Sequence, residues 1–385
     1  MHVVMVDAGN VTPSYVYPLC RALATAGCQI ELFTAPFPHD ELPRIDVPVH
    51  LRFGRLGDLP LGRRSQPVRR VVRALEYPFD WATVLRHVRA TCPDVVHVQW
   101  AMLPIVDTLA FRAVRRLRVR LVYTVFDIRP HYGRWRRALL STRPLFDLAD
   151  DLVVHTEANR AKLCDLTGLP SSRVSVITHG NLVDWAGPPM PRAVARSALG
   201  LPANVPIALF FGGIKPYKRL GFALRAFQML LERLPSAWLL IAGRPDGSFA
   251  PYEAMIDGLG LRERVITRLG YVPEDQVSLY FSAADVLALP YTDADFSAVV
   301  LAAYTFGRPV LVTETGGLHQ VIEDGASGLI TPPDNIEAFA KGLERVMTDH
   351  DLAERMGTRA RELALKKFNW SVGAAEIIQV YQRLG

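Results

Sequence analysis

The sequence is poor in cysteine and contains no long apolar run. Its four cysteines are scattered without a Cys-x-x-Cys pair, so neither a zinc site nor a disulfide framework is indicated. Apolar stretches such as residues 207–214 have the length of strands, well short of the roughly 20 residues that a membrane-spanning helix needs. The N-terminus lacks the basic and apolar regions of a signal peptide. We therefore expect a cytoplasmic protein with reduced thiols.

Lysine is also scarce, and most of the positive charge comes from arginine. The net charge is +6, and arginines cluster at residues 63–73, 112–120 and 134–137. A solvated face is the simplest interpretation. The next is an anionic acceptor or a membrane surface, with Trp81 and Trp135 as aromatic anchors. Nucleic acid is the least favoured partner, because no recognised binding motif accompanies the charge.

Short runs of Val, Ile and Leu alternate with longer helical patterns, which is typical of parallel sheets covered by helices on both faces. In the first half we predict strands at 3–7, 30–34, 95–98, 121–125, 152–154 and 174–177. In the second half we predict strands at 207–211, 238–242, 265–269, 286–289, 309–312 and 328–330. The fold class is therefore α/β, with two doubly wound domains.

A segment rich in proline and glycine at 185–191 interrupts this alternation and indicates a linker. We predict a first domain at 1–184, a linker at 185–205, a second domain at 206–368 and a C-terminal helix at 369–385. Ligands of open α/β sheets bind beyond the carboxyl ends of the strands, so the loops there are the candidate sites.

The loop after the first strand of the second domain combines two glycines with two of the few lysines. Gly212 and Gly213 allow a ligand to approach the backbone closely, while Lys215 and Lys218 add two positive charges. A diphosphate fits this arrangement. Taken alone, the segment is equally compatible with a solvated basic turn.

A second loop follows the strand at 286–289 and precedes a helix. The backbone amides of Ser297, Ala298 and Val299 at the start of that helix would bind an anion. Asp293 and Asp295 are spaced to hold a divalent metal, and helix capping is the other interpretation of Asp295. We favour a site without metal, because no third carboxylate is evident and the lysines supply positive charge.

Taken together, these segments resemble the family 4 glycosyltransferases, which have the two-domain GT-B fold. The resemblance rests on Phe-Gly-Gly-Ile-Lys-Pro-Tyr-Lys at 211–218 and on segments 297–310 and 315–329 in the second half. In the first half it rests on segments 93–100, 123–131, 154–160 and 177–181. It implies two Rossmann-like domains that face each other across a cleft, with a C-terminal helix that crosses back to the N-terminal domain.

The resemblance also implies an activity: transfer of a sugar from a nucleotide diphosphate donor with retention of configuration, in the biosynthesis of a glycan, glycolipid or glycosylated metabolite. It implies no cofactor and no metal. The acceptor is expected to be anionic or lipid-linked, and contact of the arginine-rich domain with the inner face of a membrane is expected.

Site residues follow from the matched segments. The catalytic set is Lys215, Lys218, Asp295 and His131. The donor-binding set is Gly212, Gly213, Tyr271, Val272, Asp293, Ser297, Ala298 and Val299, in which the Tyr271 and Val272 turn would hold the nucleobase. The acceptor-binding set is Gly9, Asn10, Asp127 and His179. A loop histidine without a catalytic role is the alternative for His131.

Three positions depart from the family's pattern. Ala294 and Ala302 stand where the family often has two glutamates, and Phe126 stands where it often has a histidine. Asp293 or Asp295 and His131 are the candidates to compensate. Two alternatives to a transferase stay open: a GT-B sugar-nucleotide epimerase or phosphorylase, and a catalytically silent homologue that binds a partner.

Overall fold

The computed structural model describes residues 1–37, 45–57, 65–126, 128, 135–183, 185–294 and 296–385. The chain divides into two compact units, one formed by Met1–Gly180 with Trp370–Gly385 and the other by Asn181–Asn369. The first unit therefore contains the end of the chain as well as its N-terminal half.

The first unit has a seven-stranded parallel sheet in the order β3-β2-β1-β4-β5-β6-β7. The strands are β1 (His2–Asp7), β2 (Gln29–Thr34), β3 (Val49–Leu51), β4 (Val95–Trp100), β5 (Arg120–Thr124), β6 (Asp151–Val154) and β7 (Val174–Val176). The helices are α1 (Pro13–Thr25), α2 (Gln66–Thr91), α3 (Pro104–Arg116), α4 (Trp135–Leu148) and α5 (Glu157–Thr167). Six strands lie where the apolar runs predict them. The seventh, β3, has three residues and is too short for a periodic signal.

The second unit has a six-stranded parallel sheet in the order β10-β9-β8-β11-β12-β13. The strands are β8 (Ile207–Phe211), β9 (Trp238–Gly243), β10 (Val265–Leu269), β11 (Val286–Leu289), β12 (Val310–Thr313) and β13 (Gly328–Thr331). The helices are α6 (Arg192–Leu199), α7 (Leu220–Leu231), α8 (Ala250–Gly258), α9 (Val277–Ala283), α10 (Ala298–Thr305), α11 (Ile336–Thr348) and α12 (His350–Lys366). The predicted fold class, with two doubly wound α/β domains, is confirmed.

Helix α6 lies inside the segment predicted as a linker. Arg196 fixes it to the sheet: its side chain is buried and donates hydrogen bonds to the carbonyls of Ala283 (2.9 Å) and Val205 (2.9 Å). The same guanidinium pairs with Asp285 at 2.8 Å. The proline- and glycine-rich composition therefore marks only the start of this segment, and an ordered helix follows.

In each sheet the strand order reverses at one place, between β1 and β4 in the first and between β8 and β11 in the second. A crevice forms beyond the carboxyl ends of the strands at such a reversal, and ligands of doubly wound folds bind there. The loops after β1, β4, β8 and β11 are therefore the places to look for function. The last two are the glycine–lysine loop and the loop 290–297.

The last helix, α13 (Trp370–Leu384), belongs to the first unit, as predicted for the C-terminal helix. Glu376 accepts hydrogen bonds from the backbone amide of Thr178 (2.6 Å) and from its hydroxyl (3.1 Å). Tyr381 hydrogen-bonds with the buried His97 at 2.6 Å. A Cβ atom at Gly180 would lie 2.1 Å from the indole of Trp370, so the helix packs directly on bare backbone.

We expect Gly180→Ala to lower the free energy of unfolding by about 2 kcal/mol, because the added methyl group overlaps the Trp370 ring and overpacking typically costs about 1–3 kcal/mol. Urea unfolding followed by circular dichroism measures this. The control is Gly258→Ala at the end of α8, where a Cβ would meet no atom within 4 Å. Equal unfolding midpoints for the two variants would contradict the packing described here.

Candidate active site

The chain turns sharply at Gly212 after β8, and this turn meets Gly243 at the end of β9. Gly212 has φ +93°, and its amide donates to the carbonyl of Ala242 at 2.9 Å. Gly243, at the end of β9, has φ +145°, and a Cβ there would lie 2.0 Å from the Gly212 carbonyl oxygen. The loops after β8 and β9 therefore touch backbone to backbone, which only glycine at 243 permits.

The ammonium group of Lys218 lies against this turn. A Cβ on Gly212 would come within 2.9 Å of the Lys218 Nζ atom, and Lys218 is only 7% exposed. Among the residues that the structure describes, none hydrogen-bonds or ion-pairs with this ammonium; the Tyr291 ring lies 5.3 Å away. Burial lowers the pKa of Lys218 to about 8, so the group is still charged at neutral pH. It is a dehydrated cation at the reversal point of the sheet.

Lys215 lies on the other side of the same turn. It is half-buried, and its Cε atom is 3.9 Å from the position of a Cβ on Gly213. The neighbouring cation, Arg219, is already engaged: it pairs with Asp334 at 2.6 Å and packs over the Phe222 ring at 4.3 Å. The two predicted lysines therefore flank the glycine pair, whereas Arg219 fixes the following helix.

The start of α10 completes this group. Val299 Cγ2 lies 3.6 Å from the position of a Cβ on Gly212. Ser297 is the N-cap residue, and its side chain makes no capping hydrogen bond. Within the described parts of the chain the amides of Ala298 and Val299 have no acceptor. Free amides and the helix dipole favour an anion here, next to Lys218.

The loop between β11 and α10 is held by the loop that follows β12. Gly317 donates to the carbonyl of Ala294 at 3.0 Å, and a Cβ at Gly316 would lie 2.1 Å from the same oxygen. Ala294 and Ala302 are 2% and 3% exposed, so the positions of the family's glutamates are filled by apolar packing. Asp293 is half-buried in this loop.

Asp295 lies outside the described residues, so the structure does not place the second carboxylate of the Asp-x-Asp pair. The interpretation of that pair as a metal site stays open.

The predicted nucleobase turn lies farther along the same edge of the sheet. Gly270 donates to the Gly243 carbonyl at 3.1 Å, which joins the loop after β10 to the loop after β9. The Tyr271 hydroxyl donates to Glu274 at 2.8 Å, and the Trp185 indole donates to the other oxygen of that carboxylate. Tyr271 and the adjacent Val272 are half-buried.

In the first unit, Gly9 and Asn10 form the turn after β1. Asn10 is buried with φ 47°, and its side-chain amide donates to the Ala35 carbonyl at 2.9 Å, so it holds the turn in place. A Cβ on Gly9 would lie 2.9 Å from the sulfur of Met102, in the loop after β4.

Asp7 ends β1, and complete burial raises its pKa to about 7. Sequence analysis missed Asp7, although a carboxylate at the end of a buried strand is the signal that points to it.

His179 lies among aromatic rings. Its ring is 4.9 Å from Tyr15, 5.3 Å from His155 and 5.5 Å from Trp370, and it hydrogen-bonds to the Gly180 carbonyl at 2.7 Å. Burial lowers the pKa of His179 to about 3 and that of His155 to about 4, so both are neutral at pH 7.

Phe126 takes part in the same cluster, at the position where the resemblance leads us to expect a histidine. It stacks on Trp100 with 4.8 Å between the ring centroids and an interplanar angle of 5°. Asp127 and His131, predicted to bind the acceptor and to take part in catalysis, lie outside the described residues.

Comparisons with known proteins identify the family and the fold. The family "Glycosyl transferases group 1" matches residues 192–363, and "Glycosyl transferase 4-like domain" matches residues 12–180. A D-inositol 3-phosphate glycosyltransferase of Streptomyces bingchenggensis is 32% identical over 398 residues, covering 97% of this chain and 85% of that protein. The alignment with the protein of the same name from Corynebacterium urealyticum covers only 58% of that protein.

Solved structures show the same fold at low sequence identity. Sucrose-phosphate synthase from Thermosynechococcus elongatus superposes with a TM-score of 0.76 at 21% identity, covering 100% of this chain and 99% of that one. Anabaena Alr3699/HepE in complex with UDP-glucose also gives 0.76, at 17% identity, with 100% of both chains covered.

We expect Lys218→Met to stabilise the protein at pH 7 by on the order of 2–3 kcal/mol, because it removes a dehydrated charge without a described partner. Between pH 8 and 10.5 the native protein loses this proton before the unfolded chain does. Wild-type stability therefore rises with pH there, and the advantage of the variant shrinks. Urea unfolding at pH 7 and pH 10 measures both effects. Lys215→Met, at a half-buried position, is the control; a destabilised Lys218→Met protein at pH 7 would contradict the analysis.

Proposed function

Since the chain belongs to the family 4 glycosyltransferases of the GT-B fold, we propose that it transfers a sugar from a nucleoside diphosphate donor to an acceptor, with retention of configuration at the anomeric carbon. The observation that carries this proposal is the buried ammonium of Lys218, set between the Gly212 turn and the first turn of α10. A cation without a described counter-ion in this position suits a ligand that brings its own negative charge.

The chemistry follows from where charge develops. Cleavage of the bond between the sugar and the diphosphate leaves negative charge on the departing diphosphate. Lys218, Lys215 and the amides of Ala298 and Val299 would stabilise that charge more strongly in the transition state than in the ground state. No covalent intermediate on the protein is required. We propose that the lysines take the place of a metal ion, while Gly212 and Gly213 let the phosphates approach the backbone.

Relatives support the classes of donor and acceptor. Structures of Alr3699/HepE hold UDP and UDP-glucose, which supports a nucleotide-sugar donor with UDP as the first nucleotide to test. The curated relatives are named for D-inositol 3-phosphate, which supports an anionic acceptor that carries phosphate. We propose that the turn at Gly9 and Asn10 and the cluster around His179 form the acceptor side, for the biosynthesis of a glycosylated metabolite or glycolipid.

We expect Lys218→Ala to lower kcat/KM for sugar transfer by a factor of about 10² to 10³, the usual cost of removing one group that stabilises a developing anion. Release of nucleoside diphosphate from candidate donors, with and without EDTA, measures this and tests independence from metal. Lys341→Ala is the matched control, because Lys341 is exposed and its ion-pair partner in the described part of the chain is Glu337 on the same helix.

The alternative activities predict different results in the same assays. An epimerase alters the sugar without an acceptor, and a phosphorylase needs phosphate, whereas the proposed transferase needs an acceptor and gives a product whose anomeric configuration by NMR matches the donor. A silent homologue would show no turnover, and UDP, GDP, ADP and TDP would each leave its thermal unfolding midpoint where it is without ligand. Turnover that is unchanged in Lys218→Ala would refute the assignment of the site.

We also propose that the first unit contacts an anionic membrane surface through α2, at the inner face of the membrane. One face of α2 exposes four large apolar side chains: Val68 (45%), Val71 (60%), Leu75 (68%) and Phe79 (74%). Their spacing of three or four residues places them in one stripe. Arg52 and Arg55 line a groove together with Leu75 and Phe79, and Glu76 and Asp80 line the same groove. The two carboxylates accept hydrogen bonds from the backbone amides of the loop 54–57, so the arginines lie beside acidic groups that already have partners. An apolar stripe beside arginines suits an anionic lipid surface.

The prediction of Trp81 as an aromatic membrane anchor was wrong. Trp81 is 1% exposed and donates its indole N–H to Asp107 at 2.9 Å, so it is a core residue. Phe79, on the exposed side of the helix, takes its place in the proposal, and the side chain of Trp135 lies outside the description. None of the helices in the described part of the chain has the length and apolar character to cross a bilayer, so the proposed contact is peripheral.

We expect the double variant Leu75→Glu/Phe79→Glu to bind vesicles containing anionic lipid at least tenfold more weakly, because it removes apolar surface and adds negative charge. Flotation with phosphatidylglycerol vesicles measures this. Val194→Glu, at an exposed apolar position on α6, is the control. If vesicle binding persists while the double variant alters self-association, the stripe contacts a second copy of the chain and the membrane proposal fails.

A further inference from the structure

A cavity lies at the edge of the second sheet that is opposite to the Gly212 turn and Lys218. Its volume is about 700 Å³, within the range of sites for small molecules. Asp285 and Pro309, which line it, immediately precede strands β11 and β12, so the cavity is at the amino edge of the sheet. The Gly212 turn and Lys218 follow the carboxyl end of β8. The remaining walls come from the start of α6, the end of α11 and one face of α12.

Arg308 is the unusual residue of this cavity. Its Nη2 atom donates to the Ser282 carbonyl at 3.2 Å, while its Nε atom is buried and meets no hydrogen-bond acceptor among the described residues. Burial lowers the pKa of Arg308 to about 10, and the guanidinium stays charged at neutral pH. A buried N–H of a charged group without an acceptor is costly, so the described protein groups satisfy this guanidinium only in part.

The charges around Arg308 do not balance. Asp285 is the acidic group at the base of the cavity, and it is already shared: Arg192 pairs with one oxygen at 2.9 Å and Arg196 with the other at 2.8 Å. The second oxygen also accepts from the Ile207 amide at 2.7 Å. No described carboxylate forms an ion pair with Arg308. Three guanidinium groups therefore surround one carboxylate.

The mouth of the cavity carries both signs of charge. Arg361 donates to the Thr305 carbonyl, and Lys366 and His350 add basic groups. Of the two glutamates at the rim, Glu362 faces Arg359 at 3.1 Å, and Glu354 is the other. The excess of positive charge is therefore at the base, around Arg308, rather than at the mouth.

We propose that this cavity binds a small phosphate-bearing anion, with Arg308 as its principal ligand and Arg192 and Arg361 as flanking cations. The planar guanidinium matches phosphate oxygens, and an anion bound where Arg308 lines the cavity would offset the surplus charge. This site shares no residue with the proposed donor site. The proposal for this site is therefore independent of the proposed glycosyl transfer.

Pyrophosphate is the probe, and calorimetry on Lys218→Met protein is the measurement, because that variant lacks the donor-site ammonium. We expect binding with one equivalent, and at least tenfold weaker binding in Lys218→Met/Arg308→Gln. The matched control is Lys218→Met/Arg345→Gln, which removes an exposed arginine of α11 outside the cavity. Repeating the titration with inorganic phosphate and with UDP distinguishes a free phosphate group from a nucleotide as the ligand.

Two results would overturn the proposal: no pyrophosphate binding by the Lys218→Met protein, or equal binding when Arg308 is replaced. Circular dichroism establishes that each variant is folded. If Arg308→Gln does not fold, Arg308→Lys keeps the charge but loses the fork, and binding weakened less than twofold in that variant would equally overturn it. Binding lost with Lys218→Met but kept in Arg308→Gln assigns the anion to the donor site alone, which leaves the proposed transfer intact.

Discussion

The burial of the Lys218 ammonium is the constraint on which the carboxyl edge of the second sheet depends. A charge held away from water without a described protein counter-ion lowers the stability of the folded chain. It persists because the Gly212 and Gly243 turns let two loops meet at bare backbone and leave no room for a side chain between them. The same dehydration strengthens the attraction of this charge for an anion, which in the proposed transfer is the diphosphate. The folded chain is thus less stable because of the same charge that the proposed transfer uses for electrostatic stabilisation.

The two units use the same topology for different chemistry. At the reversal point of the second sheet, the structure presents cations and free amides. At the reversal point of the first sheet, it presents Asp7, a buried amide and aromatic rings. The histidines there are neutral because burial lowers their pKa values far below 7. In the proposed transfer the second unit supplies the cations for the diphosphate, while the neutral histidines and aromatic rings of the first unit offer uncharged contacts.

Much of the fold could be predicted because parallel strands covered on both faces read as continuous apolar runs. The failures have physical causes. Strand β3 is too short to show a period, and α6 follows a segment whose proline and glycine content indicates a linker. Helix α2 has apolar residues on its exposed face as well as its buried one, which obscures the usual amphipathic pattern. The same exposed residues form the apolar stripe that we propose contacts a membrane surface.

Site residues could be predicted where neighbours in sequence create the chemistry, as in the Gly212 to Lys218 loop. Gly243 and Arg308 could not, because their roles depend on groups brought close by the tertiary fold: the Gly212 carbonyl for one, and Arg192, Arg196 and Asp285 for the other. Trp81 and Phe79 show the limit most clearly. Two residues apart on a helix, they point about 200° apart, so one is core and the other solvent. Composition alone carries no information about which side of the helix is covered.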